Sequence, residues 1–354
     1  MGDVVGQDNY LSTAKAIGII LMVVGHTIDP NFVCRFIYMF HMPLFFFCSG
    51  YFYKTPNSLQ EVGKFTLRRI RRLYFPYVKW GVFFLLLHNQ FCSWHIYNPS
   101  IYGYYDYDDY LHRLKSLLFT MTGHEQLLDP FWFLKELFLA SILICLLTFV
   151  FKKVESKFKD VAIWILLIVM AVITKPCELG LPVIWNLSLM FLSAFFVFSG
   201  YLYSKIEKTD YYSVLGGVLS FAFLCCAVLV WNDSLDMLWY NAESVLFFIP
   251  SAFIGIFMTF TIAYLLEPYS IKKIFYYLGK NTMIILVLHL LVFKFVSFLK
   301  IYVFGLSMER LSEKGTIIDN NEIFWFVYFL MGILIPLLYS ELSRLIKKKM
   351  FNFL

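Results

Sequence analysis

Lys15, His26, Arg35, His41, Lys135, Glu136 and His289 all fall inside stretches of sequence that are otherwise apolar. Ionisable groups at such depth are costly and by default mark a working interior. Lys15 and His26 share the run LSTAKAIGIILMVVGHTI, residues 11–28, and stand eleven positions apart. On a helix that is almost three whole turns, so both project from one face, separated by about 16 Å of rise. Histidine changes protonation near neutrality and suits a general base. The plainer alternative is a lysine snorkelling to the interface and a histidine satisfied by a neighbouring helix.

Three further segments add polar groups. FVCRFIYMFHMPLFFFCSGYFY, residues 32–53, holds Arg35 near one end and His41 in its middle. It also carries Ser49, Gly50 for close packing, and Pro43, which can kink a helix. At its depth, comparable with His26, the Arg35 guanidinium can bind an anionic group or hold a histidine neutral, or it can simply snorkel. FWFLKELF, residues 131–138, places Lys135 beside Glu136. Neighbours on a helix point about 100° apart, so at least one must meet a partner or a cavity. LGKNTMIILVLH, residues 278–289, sets Lys280 and Asn281 at the mouth of a span and His289 in its interior.

FTLRRIRRLYFPY, residues 65–77, gathers four arginines. Arg69 and Arg72 share a helix face, as do Arg68 and Arg71. Guanidinium forks match phosphate oxygens bidentately, so such a pair can hold a polyphosphate ligand. The same cluster equally serves membrane topology and attraction to anionic headgroups.

The elements that must position these groups are membrane spans. Of 354 residues, 60% are hydrophobic, 20% aromatic and 15% charged. A soluble domain carries about 25% charged residues. Apolar windows predict about ten spans, at 11–28, 32–53, 73–92, 130–151, 161–176, 182–204, 211–231, 244–266, 281–304 and 322–343. The expected fold is therefore all-α, a polytopic integral membrane protein in one bundle over 1–354, with no internal repeat. One set of alternate loops holds nineteen Lys and Arg and the other five. That asymmetry puts residues 1–10 and 344–354 in the cytoplasm, in the cell membrane. The net charge of +6 is confined to short loops, which excludes a nucleic-acid partner. Residues 1–10 lack basic residues and no cleavage site follows, so the first span is expected to stay as an anchor. No Cys/His spacing suits a metal. Cys92 and Cys177 fall on the same outer side, where a bridge is open but not assigned. The Tyr-rich outer segment 93–129, with Asp106, Asp108 and Asp109, can stack on sugar rings or form an interfacial aromatic belt with a solvated acidic turn.

In order along the chain, these elements resemble the membrane acyltransferase family 3, and most closely its branch related to fucose 4-O-acetylase. The residues that carry the resemblance are Lys15-x10-His26, FHMPLFFFCSGY at 40–51, the arginines leading into Arg72-x-x-x-Pro76-Tyr77, WFL at 132–134 with Trp132, and LGKNT…H at 278–289. The resemblance implies a ten-helix O-acetyltransferase that takes acetyl groups from cytoplasmic acetyl-CoA. It delivers them to hydroxyls of carbohydrates on, or bound for, the cell surface: a polysaccharide-modifying enzyme. By it, His26 matches the family's essential histidine and Arg69 with Arg72 match its arginine motif. Two features depart from the pattern. Lys15 stands where the family often has arginine, and no esterase-like domain follows the tenth span, so transfer is expected to finish inside the bundle.

On this reading His26 is the base and His41 orients the reacting groups or donates to the oxyanion. Lys15, Arg68, Arg69 and Arg72 hold acetyl-CoA, the acyl donor, while Arg35, Trp132, Glu136, Asn281 and His289 support the substrate. The partners are acetyl-CoA, a carbohydrate or glycolipid acceptor, and the bilayer. Two other classes fit the buried charges: a transporter or flippase for a lipid-linked saccharide or small anion, and a non-catalytic acyl-CoA sensor.

Overall fold

In a computed structural model of the chain, residues 2–27, 31–154, 158–177, 186–206, 211–231, 235–240, 244–318 and 324–351 are described, the side chains of 2–9, 176–177 and 350–351 excepted. Among them there is helix and no strand. The helices are α1 (Gly2–Gly25), α2 (Phe32–Tyr38), α3 (His41–Tyr51), α4 (Leu59–Arg69), α5 (Phe75–Leu86), α6 (His88–Ser93), α7 (Pro99–Tyr102) and α8 (Tyr107–Phe119). They continue as α9 (Trp132–Val150), α10 (Lys159–Cys177), α11 (Leu187–Ser204), α12 (Val214–Val230), α13 (Val245–Leu266), α14 (Lys272–Lys280), α15 (Thr282–Phe304) and α16 (Phe324–Phe351).

Six helical stretches are long and apolar enough to cross a membrane: Phe32–Tyr51, Gln126–Lys153, Leu187–Ser204, Val245–Leu266, Thr282–Phe304 and Phe324–Lys349. Tyr10–Gly25 and Val214–Val230 are shorter apolar helices. The ten expected segments are each largely helical, but four of them fall short of that length and apolarity. Residues 73–92, for example, divide into α5 and α6 at Leu87. Residues 32–53, expected as one helix, break at Met39–Phe40. Pro43 then sits in the first turn of α3, where its missing N–H leaves no helical bond unmade.

α1 runs through the middle of the bundle, packed by α3, α13, α14, α15 and α16. Its register against α14 rests on Gly279, where a Cβ would lie 2.0 Å from the Ser12 carbonyl oxygen. The crossing of α3 with α11 is closer still. A Cβ on Gly50 would lie 1.7 Å from the Val197 oxygen, and one on Gly200 would lie 2.0 Å from the Phe47 oxygen. Here the sequence does hold a short repeat, against the expectation of none: FFFCSGYFY at 45–53 and FFVFSGYLY at 195–203. The two glycines of the repeat meet backbone to backbone.

The outer segment is ordered by its own polar groups. Asp106 caps α8, accepting from the Asp109 N–H at 2.9 Å, while Asp109 accepts from the Asp106 N–H at 3.2 Å. Two of the three clustered aspartates are thus a helix cap. His88 on α6 pairs with Glu125 at 2.7 Å and lies 3.0 Å from the Gly103 carbonyl, with Tyr105 stacked on its ring at 3.4 Å. Cys92 is a buried free thiol, which removes the bridge to Cys177; the Cys177 side chain itself lies outside the described residues.

Candidate active site

The arginine segment begins in α4 and passes through a π-helical stretch, Ile70–Tyr74, into α5. Pro76 has no N–H to give the carbonyl of Arg72, so the α register cannot close there. The Phe75 N–H reaches back five residues to the Ile70 oxygen instead, the π pattern that often marks functional positions. At about 100° per residue, Arg68, Arg72 and Arg69 fall within one arc and Arg71 falls outside it. Arg68, Arg69 and Arg72 accordingly line one cavity of about 520 Å³, and Arg71 does not. The expected pairing of Arg68 with Arg71 on one face therefore does not carry into the site.

Lys15 of α1 lines the same cavity, so the four residues expected to hold a phosphorylated donor converge. Lys54, Ser49, Tyr53 and Thr282 add polar groups that the sequence reading did not assign to it. Lys54 had served only to mark topology. Its signal was its position directly after the SGYFY run, on the same loop as the arginines. Burial, with Arg72 and Arg68 alongside, brings the Arg69 guanidinium down to about 10, still charged at neutral pH. Three guanidiniums and two ammoniums around one concave space suit an anion.

From this cationic end the cavity runs inward to Met22, Met42 and Leu286. Each stands one to four residues from a histidine: His26 on the α1 end, His41 on α3, His289 on α15. Met22 to His26 is one helical turn, about 6 Å of rise. The three histidines do not line the cavity themselves; each lies on its helix just beyond one of these lining residues. His26 and His289 have ring centroids 5.3 Å apart. His41 Nδ1 lies 3.0 Å from the Ile37 oxygen, and its ring stacks on Tyr38, whose hydroxyl donates to the Gly25 carbonyl at 3.2 Å. A carbonyl only accepts, so His41 Nδ1 carries the proton and neutral Nε2 is left as an acceptor.

Other expected site residues lie elsewhere. Arg35 donates to the carbonyls of Val228, at 2.8 Å, and Trp231, where α12 ends. It closes a helix C-terminus, whose carbonyls and dipole favour a cation. Asn281 accepts from Ser340 at 2.8 Å and donates to the Tyr277 carbonyl at 2.8 Å, tying α14 and α15 to α16. Its neighbour Thr282 lines the cavity. Trp132 is partly buried in the core, while the next two residues, Phe133 and Leu134, reach the cavity wall. Glu136 is buried 3.9 Å from Lys135, which lines a second, smaller cavity of about 210 Å³ with Tyr74 and Thr120. Among the described residues no group of His, Cys, Asp and Glu is placed to hold a metal ion.

Six helical stretches of membrane length, with a cavity lined by Lys15, Lys54, Arg68, Arg69 and Arg72 among the helices, make this a multi-pass membrane protein. The chain belongs to acyltransferase family 3: the family's acyltransferase domain matches residues 8–341. It is a membrane acyltransferase. Comparison with curated proteins and with solved structures finds no match.

Proposed function

We propose that this acyltransferase moves an acetyl group from acetyl-CoA to a hydroxyl of a cell-surface or exported glycan. The observation that carries this reading is one cavity whose lining includes Lys15, Arg68, Arg69 and Arg72 and also Met22, one helical turn before His26. The nucleotide phosphates of acetyl-CoA fit the guanidiniums and the Lys15 ammonium at the cationic end, taken as cytoplasmic by the excess of basic loops. A thin, flexible pantetheine arm suits the apolar passage between Met22, Met42 and Leu286. It brings the thioester to the histidines.

His26 then takes the proton of the acceptor hydroxyl as that oxygen attacks the thioester carbon. The C–S bond breaks, and His26 returns the proton to the departing sulfur, giving the acetyl ester and free CoA. His41 fits an orienting role, since its outward nitrogen is a proton acceptor in the neutral ring. Donation to the oxyanion does not suit that tautomer.

Purified protein in lipid nanodiscs, supplied with acetyl-CoA, should release free CoA and transfer acetyl to a glycan acceptor. His26→Ala should abolish both while binding acetyl-CoA. Surface glycans from cells with and without the protein should differ by single acetyl groups in mass spectra. Transport of a solute with no loss of thioester, or unaltered CoA release by His26→Ala, would overturn the reading.

A further inference from the structure

His289 lies in the interior of α15, fully buried. Its Nδ1 is 3.0 Å from the Ile285 oxygen and 3.0 Å from the Leu286 oxygen. Two carbonyls can only accept, so Nδ1 carries the ring proton and Nε2 presents a lone pair. That Nε2 is buried and makes no hydrogen bond. A buried acceptor without a donor is rare and calls for an explanation. Phe293 meets the ring edge-on at 5.6 Å and offers no polar atom. The neighbouring ring is His26, at a centroid separation of 5.3 Å; no hydrogen bond joins the two rings in this arrangement, but a small turn of either ring sets an N–H···N contact of about 2.9–3.0 Å.

We propose that His289 is a positioning residue for His26. Its Nε2 accepts the single N–H of the neutral His26 ring. Acceptance selects the tautomer in which the other His26 nitrogen faces the reacting hydroxyl with a free electron pair. It also supports the imidazolium that forms when His26 takes the hydroxyl proton, as the third member of a nucleophile–base triad does. The Nδ1 bonds to α15 lock His289 in the accepting form, so it cannot act as a competing donor. This inference rests on His26 being the proton-accepting group. The other charged or titratable groups that face His26 are Asp129 and Lys314, whose fields reach the ring, and His41 on α3. Asp129 and Lys314 pair with each other at 3.0 Å and are half-exposed or more.

The test compares His289→Phe, which keeps the volume and removes the acceptor, with His289→Gln, which restores an acceptor oxygen. His289→Phe should lower kcat on the order of 100-fold, a loss typical of misdirected general-base catalysis, with the KM for acetyl-CoA changed less than twofold. His289→Gln should recover at least a tenth of wild-type kcat. A second readout needs no turnover: carbethoxylation of His26 by diethyl pyrocarbonate at pH 7.5, followed by peptide mass spectrometry. It should slow at least threefold in His289→Phe and recover in His289→Gln. A His26 modification rate that is the same in all three proteins would overturn the proposal, as would a kcat within fivefold of wild type in His289→Phe. If His26→Ala keeps its activity while the modification rates change as expected, His26 is not the base but its coupling to His289 stands. If His26→Ala is inactive and the rates do not change, the coupling alone fails.

Discussion

At the scale of single residues, side chains of one type do different work according to where their helix turns them. Arg69 is the most enclosed of the four clustered arginines, and its depressed guanidinium reports both burial and two like charges beside it. An anion relieves all three strains at once. Arg69→Ala and Arg72→Ala should each raise the KM for acetyl-CoA about 10- to 100-fold, the worth of one or two charge-assisted hydrogen bonds. Arg71→Ala, outside the arc, should leave KM within twofold; steady-state kinetics in nanodiscs separate the cases. Altered membrane insertion with an unaltered KM for acetyl-CoA in Arg69→Ala and Arg72→Ala would mean that the cluster serves topology alone. Arg35 is a contrasting case. Because it closes the end of α12, Arg35→Ala should cost about 1–3 kcal/mol of stability, read as a lower unfolding temperature in detergent. Turnover per folded molecule should be preserved.

At the scale of elements, the site depends on helices that touch without side chains between them. Gly50 and Gly200 let α3 and α11 approach until each backbone fills the space a Cβ would need. Small residues at such crossings replace the hydrophobic drive that lipid cannot supply. Gly50→Ala or Gly200→Ala must push the helices apart, and α3 carries both His41 and the cavity residue Ser49, with Tyr53 two residues past its end. Either change should cost at least the 1–3 kcal/mol typical of overpacking and lower the unfolding temperature by several degrees. Gly63→Ala, with nothing near its Cβ, is the control and should be neutral or slightly stabilising.

At the scale of the molecule, the bundle is closed at the end opposite the arginines by the segment after α15. Lys294 donates to the carbonyls of Leu311, at 2.9 Å, and Glu313, and Lys300 donates to the Ile317 carbonyl at 2.9 Å. Both lysines are buried, and both are spent on backbone oxygens. Lys314 then pairs with Asp129 ahead of α9, and Gly315 lies near the His26 carbonyl. The segment therefore packs against the His26 end of α1. Lys294→Met should free it, with tryptic cleavage at Arg310 or Lys314 at least tenfold faster in nanodiscs, followed by mass spectrometry of the released peptides. An unchanged cleavage rate would show that the lysine bonds do not hold this segment.

Helix, membrane and the chemistry-bearing residue types were legible in the sequence because each is a local or periodic property. An apolar run of membrane length announces itself, and so does charge inside it, because lipid tolerates little else. Spacing put Arg69 and Arg72 on one face but paired Arg68 with Arg71; the addition of Lys15, on another helix, came with the family resemblance. Span counts were less secure, since α5 and α12 are shorter than their apolar windows.

Partner choice was not legible. Nothing local distinguishes Arg35, used on the carbonyls of α12, from Arg69, used on a cavity, or Asn281, which ties helices together, from Thr282 beside it. Nor does sequence spacing tell that the ring of His289 lies 5.3 Å from that of His26, 263 positions away. Periodicity governs which way a side chain leaves its own helix. What it meets there depends on the crossing of other helices, set by backbone contacts at Gly50, Gly200 and Gly279, and only the packed tertiary structure decides that.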